Sequence, residues 1–345
     1  MKIMKRLISY IFLSIFAVSV FGQDIHFSQY NEAPLLMNPA LTGFFDGGHR
    51  IGLNYKNQWS AIGNGYTTYA LGYDANLNKG TGGTGFLALG LAVFNDVAGD
   101  LDYGTLTGQV NIAYHLKLND EQMLSAGLYG GFGQKSIDQT NMQWDNQYDG
   151  VSGHDASIPS IESFAFENYS YVDFGFGLNW SLNHNSTNMS SNDGFKTNVG
   201  FSVSHVNQPS YDFLSNSEDR MNMRIQGHGR ALIGLSGTNA ALVPSVMVQF
   251  QGTQKEILPG LSVRYTLREE SKYTGFVKDA YLSLGGIYRT SDAIIVQTML
   301  EINDIALGLS YDINVSRLSN ATDGKGGFEI ALRYIIKNGN NASFY

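Results

Sequence analysis

The sequence predicts an all-β fold: a transmembrane antiparallel up-and-down β-barrel of about 14 strands, preceded by a signal peptide and a short irregular N-terminal segment. Three observations carry this. Apolar residues recur with period two rather than 3.6. The runs that show it are long and continue almost to the end of the chain. The composition is rich in glycine and aromatics without being hydrophobic, with 40 Gly, 20 Tyr and 20 Phe at a mean hydropathy of −0.14. Lipid-facing and lumen-facing residues alternate in a barrel wall, so the average comes out near neutral.

The first residues indicate export. Lys2, Lys5 and Arg6 form a cationic start, Leu7 to Phe21 is mostly apolar, and Gly22-Gln23 marks a cleavage point ahead of the polar Asp24. That apolar run is shorter than the roughly 20 residues a spanning helix needs, so it reads as a signal-peptide core rather than an anchor. The expected organisation is a signal peptide over 1–22, an irregular segment over 23–48 and the barrel over 49–345.

The alternation is clearest near the C-terminus. Ile305, Leu307, Leu309, Tyr311, Ile313 and Val315 share one face, while Ala306, Gly308, Ser310, Asp312, Asn314 and Ser316 share the other. Successive side chains of a strand point to opposite faces, so one wall is apolar and the other small or polar. Phe328, Ile330, Leu332, Tyr334 and Ile336 repeat the pattern, as do Leu106, Val110, Ile112, Tyr114 and Leu116 against Thr105, Thr107, Gln109, Asn111 and His115. Such runs place strands near 49–59, 66–78, 84–95, 103–118, 122–136, 170–184, 195–207, 221–236, 241–254, 257–270, 276–290, 293–302, 305–316 and 326–337. An even count returns both ends of the chain to the same side, so both termini are expected in the periplasm. The longest connection, about Ile137 to Tyr169, then points outward, although the short link near Gly252 should also do so. A secreted β-sandwich or lectin-like domain would alternate too, but its strands would more typically run about 5–6 residues.

Several chemistries are excluded or unsupported. The chain has no cysteine, which rules out disulfides, thiolate zinc sites, thiol catalysis and a cysteine-linked lipid anchor. A net charge of −8 argues against a nucleic-acid footprint. His26, His49, His115, His154, His184, His205 and His228 lack close metal-ligand spacing. His154-Asp155 has no nucleophile turn or oxyanion signature beside it. Asp145 to Gly150 is a poor calcium loop, with Gln147 at a ligand position and Ala156 where the closing Glu belongs. Lys79 to Gly85 and Gly324 to Gly327 read as hairpin turns. No catalytic residue, metal or cofactor is expected.

Residues at the two ends form a recognisable set. The mature start carries Phe27-Ser28-Gln29-Tyr30, then Met37-Asn38-Pro39-Ala40-Leu41-Thr42-Gly43, then Gln58-Trp59. The C-terminal part carries Arg289, Asp292-Ala293, Leu307 to Asn314 with Tyr311, Asp312 and Asn314, and Gly327-Phe328-Glu329. Between them stand Asp173-Phe174, His205-Val206-Asn207-Gln208-Pro209 and Leu258-Pro259. In this order the chain resembles the PorP/SprF family of type IX secretion system outer-membrane proteins over essentially its whole mature length. The resemblance implies an outer-membrane barrel that assists export or surface attachment of cargo with a C-terminal sorting domain, often of adhesin or gliding-motility type. It also implies contacts with other type IX secretion components and with a periplasmic, peptidoglycan-associated lipoprotein. The alternative is a diffusion porin or small-ligand channel; an outer-membrane lipase would need a Ser/His pair that cannot be placed.

Asn38-Pro39 is a turn-type dipeptide, because proline disfavours the αR region at Asn38 and removes a backbone donor. Residues 24–48 therefore read as irregular, with three fates open: a partial lumen plug, a periplasmic docking strip or a lead-in packed on the rim. The candidate partner-contact residues are Phe27, Ser28, Gln29, Tyr30, Asn38, Pro39, Trp59, Tyr311, Asp312 and Asn314. Asp312 and Asn314 fall on the inward face, where hydrogen bonding that fixes strand register is the plainer role.

Overall fold

The computed structural model describes residues 24–60, 63–79, 84–138, 142–148, 150, 153–155, 157–159, 168–184, 194–210, 220–268, 279–317 and 319–337. The expected signal peptide, 1–22, lies outside them.

Fourteen antiparallel strands close on themselves, each paired with its neighbours in sequence and the first with the last. They are β1 (His49–Gln58), β2 (Tyr66–Asn76), β3 (Gly85–Ala98), β4 (Tyr103–Lys117), β5 (Gln122–Ser136), β6 (Tyr169–His184) and β7 (Phe195–Ser204). The second half is β8 (Arg224–Gly234), β9 (Ala240–Gln251), β10 (Gln254–Arg268), β11 (Ala280–Arg289), β12 (Ala293–Ile302), β13 (Ile305–Asn314) and β14 (Lys325–Ile336). Closure leaves no unpaired edge, which is what lets a sheet cross a medium that cannot hydrogen-bond its backbone. Among the described residues no helix is long and apolar enough to cross a membrane; the strands do so.

Side-chain parity sorts the wall as the sequence implies. On β13, Ile305, Leu307, Leu309, Tyr311 and Ile313 are exposed on the outside, while Ala306, Ser310, Asp312 and Asn314 are buried inside. On β3, Leu89, Leu91 and Val93 face out, and Phe86, Ala88 and Ala92 face in. The molecule is thus inverted relative to a water-soluble domain, with large apolar side chains on the surface and buried polar ones within.

The barrel has two ends. At one, called here the terminal rim, β1 begins and β14 finishes, joined by the Gly48 amide donating to the Ile336 carbonyl at 2.8 Å. At the other, the far rim, lie the β1–β2 turn and the two long connections over 137–168 and 205–223. Register shifts at Thr266/Arg268 and Asp312/Ile313 are the irregularities in strand pairing. Strand β7 stops at Ser204, short of 207, because His205 takes a left-handed backbone (φ 57°) that leaves the ladder.

Candidate functional site

The lumen is occupied. Residues 24–48 run through it from the far rim to the terminal rim, in short 3₁₀ and α turns at Tyr30–Glu32, Pro34–Met37 and Pro39–Leu41. Ser28, Asn38, Ala40 and Thr42 are fully buried. A run this short with two prolines cannot form a ladder of its own. Its backbone groups are satisfied by inward-facing side chains of the wall instead.

The path can be followed residue by residue. At the far rim, Asp24 meets His205 Nε2 at 2.5 Å and Arg224 at 3.4 Å, and accepts a hydrogen bond from the Gln251 amide. Deeper, Lys56 Nζ donates to the His26 carbonyl at 2.8 Å. Glu329 then accepts from the backbone amides of Ser28 and Gln29, at 2.7 and 2.9 Å. The Ser28 hydroxyl donates to Asp312 (2.8 Å) and accepts from Arg289 (2.9 Å). That arginine also reaches Asp312 at 3.0 Å and Glu256 at 3.1 Å. Glu32 pairs with Arg333 at 2.8 Å. Thr42 accepts from His115, the Gly43 amide donates to Asp74 at 2.6 Å, and the Gly47 carbonyl accepts from Asn76 at the terminal rim. Arg50 and Asp74 form a bidentate pair beneath that end, and Arg50 also donates to the Leu41 carbonyl.

Midway, Asn38 and Pro39 sit on a bed of glycines. A Cβ at Gly127 of β5 would overlap the Pro39 backbone, and one at Gly177 of β6 would overlap the Asn38 side chain. The missing side chains let Asn38 Nδ2 reach the carbonyls of Leu178 (3.0 Å) and Phe201 (3.3 Å) and the His228 ring, 3.1 Å away. Its Oδ1 accepts from the Ala40 amide, capping the following turn. Tyr30, Met37 and Leu41 pack with Met247, Leu258, Ile287 and Ile295 into the largest apolar cluster inside the barrel.

The rim cluster is electrostatically self-consistent. Burial alone would keep Asp24 neutral, but His205 and Arg224 outweigh it and hold the carboxyl well below the usual range. Burial likewise opposes charge on His205, yet Asp24 and Asp173 push its pKa up to about 9.

Seven of the ten candidate residues meet in this lumen: Phe27, Ser28, Gln29, Tyr30, Asn38 and Pro39 on the segment, and Asp312 on the wall. Asn314 stays inside but donates to Thr322 and the Lys325 carbonyl, fixing the β13–β14 turn. Trp59 stands at the far rim, edge-on to Tyr66 at 5.4 Å. Tyr311 faces outward, 43% exposed, where lipid would cover it. Among the wall partners, Arg289 and Glu329 belong to the C-terminal motif residues but not to the ten candidates, and Arg333, Arg50, Asp74, His115 and His228 belong to neither set. Their signal was inward parity combined with charge or imidazole.

The weak calcium loop falls partly outside the described residues, at Asp149 and Ala156. Its described part holds a 3₁₀ turn at Asp145–Gln147, and His154 bridges back to Tyr148. No group of three His, Asp or Glu poised for a metal occurs among the described residues.

A model of the family described as "Type IX secretion system membrane protein PorP/SprF" matches residues 19–334. This chain belongs to the PorP/SprF family. PorP/SprF membership and the closed barrel together make it an outer-membrane protein of type IX secretion. No curated protein matches it. Solved barrels of similar shape include CdiB from Acinetobacter baumannii, at 11% identity and TM-score 0.40 over 83% of this chain and 60% of that one. The chain therefore spans about three-fifths of that relative's length. The TodX ΔS2S3 monoaromatic hydrocarbon channel matches at 9% identity and TM-score 0.48, over 87% and 92% of the two chains. The CymD channel matches at 10% and 0.44, over 92% and 95%.

Proposed function

We propose that this PorP/SprF barrel assists type IX export or surface attachment of sorting-domain cargo, of adhesin or gliding type, through protein contacts rather than by passing solutes. The observation that carries this reading is the filled lumen. A diffusion porin keeps an aqueous channel, whereas here the first 25 described residues are bonded to the wall from rim to rim. Polar inward residues that would otherwise line a channel, among them Arg50, Lys56, Asp312, Glu329 and Arg333, bind the segment instead.

In this reading the terminal rim faces the periplasm, as the long connections at the opposite end suggest. The Lys325–Ile336 strand finishes there, accessible to a peptidoglycan-associated lipoprotein and to other secretion components. Cargo meets the far rim. Asp24 also reaches the far rim, so the mature chain would begin at the mouth opposite its C-terminal strand, which departs from the expectation of both ends inward.

The test is a gentle pull-down of the tagged barrel from native outer membrane. Recovery of a periplasmic lipoprotein or a sorting-domain protein supports the reading. Recovery of neither from intact barrel overturns it.

A further inference from the structure

At the far-rim end of the lumen, above the segment, lies a cavity of about 430 Å³. That is within the roughly 300–1,000 Å³ typical of small-molecule sites. Its walls differ in chemistry. Strands β2 to β6 supply an aromatic side made of Tyr66, Phe94, Tyr103, Tyr129 and Tyr171. Strands β8 and β9 face it with the amides of Gln226, Gln249 and Gln251, set between Met221 and Met247. The floor is Phe27 and Tyr30, and Trp59 stands behind the lining, edge-on to Tyr66.

The polar groups are not all committed. Gln249 is 6% exposed, and its side-chain amide has no protein partner among the described residues. Gln226 donates only to the Met247 sulfur, a weak acceptor. Both amides open onto the cavity, where they can hydrogen-bond whatever occupies it. Charges in the lining balance: Asp24, Asp96 and Asp173 stand against Arg224, Lys135 and His205. Most are already engaged with one another. Asp24 pairs with His205 and Arg224, His205 lies 3.0 Å from Asp173, and Asp96 accepts from Thr68. No excess charge is left to hold an ionic ligand.

Flat aromatic faces opposite open amides, in a charge-balanced cavity, suit a molecule with apolar C–H faces and hydroxyl edges. We propose that this far-rim cavity binds a neutral carbohydrate of one or two sugar rings, stacked on the tyrosine wall and hydrogen-bonded to Gln226 and Gln249. The site is additional to the secretion role and does not depend on it.

Purified full-length barrel in nanodiscs is titrated with maltose and with N,N′-diacetylchitobiose, read by saturation-transfer NMR. Glucuronate, toluene and a neutral hexapeptide serve as comparators. Saturable binding of at least one neutral disaccharide is expected, with nothing comparable for the comparators. Gln249→Ala and Tyr66→Ala should each weaken it about tenfold, the effect of removing one hydrogen bond or one stacked ring. The lipid-facing Leu261→Ala should leave it unchanged. Strand circular dichroism and heat-modifiable gel mobility establish that each variant is folded; Gln249→Ser and Tyr66→Leu replace any that is not. The proposal is overturned if neither sugar binds folded barrel, if both cavity substitutions leave binding intact, or if toluene, glucuronate or peptide binds in preference.

Discussion

Ser28 and Glu329 stand 301 positions apart in sequence and meet inside the barrel, the Ser28 amide donating to the Glu329 carboxylate at 2.7 Å. The same carboxylate takes the Gln29 amide, so one wall residue satisfies two consecutive backbone donors of the lumen segment. Replacing it with alanine leaves both donors buried without partners. Glu329→Ala should lower stability by about 3 kcal/mol, the cost of stranding buried polar groups when their charged acceptor is removed. Denaturant unfolding in lipid would check this, and planar-bilayer recordings should show new, flickering conductance.

The glycine bed under Asn38-Pro39 makes a complementary prediction. At Gly177 an added side chain has nowhere to go except the space held by Asn38. Gly177→Val should therefore expel the middle of the segment while sparing the wall, since valine suits a strand. Protease cleavage within 30–42 should rise sharply, with heat-modifiable barrel mobility retained. Asn38→Ala should produce a milder version, about 2 kcal/mol, because it removes the cap on the Ala40 amide and the donor to two wall carbonyls.

The far-rim cluster should respond to alkali. The pKa of His205, raised to about 9 in the folded protein, exceeds the ordinary 6.5. Its contribution to stability is therefore fully present below pH 6.5 and lost as pH rises through 9. Asp24 is depressed, so its contribution persists down to about pH 4 and fades below that. Asp173, Arg224 and Tyr129 surround the pair, and Lys135 acts on Asp24. Hydrogen-exchange protection factors of residues 24–28, taken relative to the intrinsic base-catalysed rate, should be high at pH 7 and fall between pH 8 and 10. In His205→Leu they should already be low at pH 7.

The fold was legible because parity in a barrel is a local property. Each run of alternating residues declares its own strand, and all fourteen strands formed where the alternation lies. Deviations have local causes. The eighth strand starts at Arg224 rather than 221 because the chain just before it pairs locally with the preceding connection, through the Ser210–Arg220 bridge and the Met221 amide on the Pro209 carbonyl, and not with the wall. The seventh ended early at the left-handed His205. The candidate site was legible only in part. Parity put Asp312 and Asn314 inside and Tyr311 outside, as observed. Nothing local could pair Ser28 with Glu329 or Glu32 with Arg333, because those pairings depend on how far the segment advances through a closed ring. The glycines at 127 and 177 looked like ordinary strand glycines until the segment lay against them.

The threading fixes a topology that labelling can read. A short epitope placed directly before Asp24 of the mature chain should be reached by antibody on intact cells. An epitope after the last strand should be reached only after permeabilisation. Equal protection of both tags would contradict the proposed orientation or the threaded path.

The passage of residues 24–48 through the lumen can be tested directly in a chain without native cysteines. The Ser28 hydroxyl and the Asp312 carboxylate lie 2.8 Å apart across segment and wall. In a Ser28→Cys/Asp312→Cys variant, mild oxidation in native membranes should join the two within one chain, in high yield. Cleavage between 48 and 312 should then leave the fragments linked until reduced. Free thiols at both positions under the same oxidation, with the barrel folded, would contradict a threaded lumen.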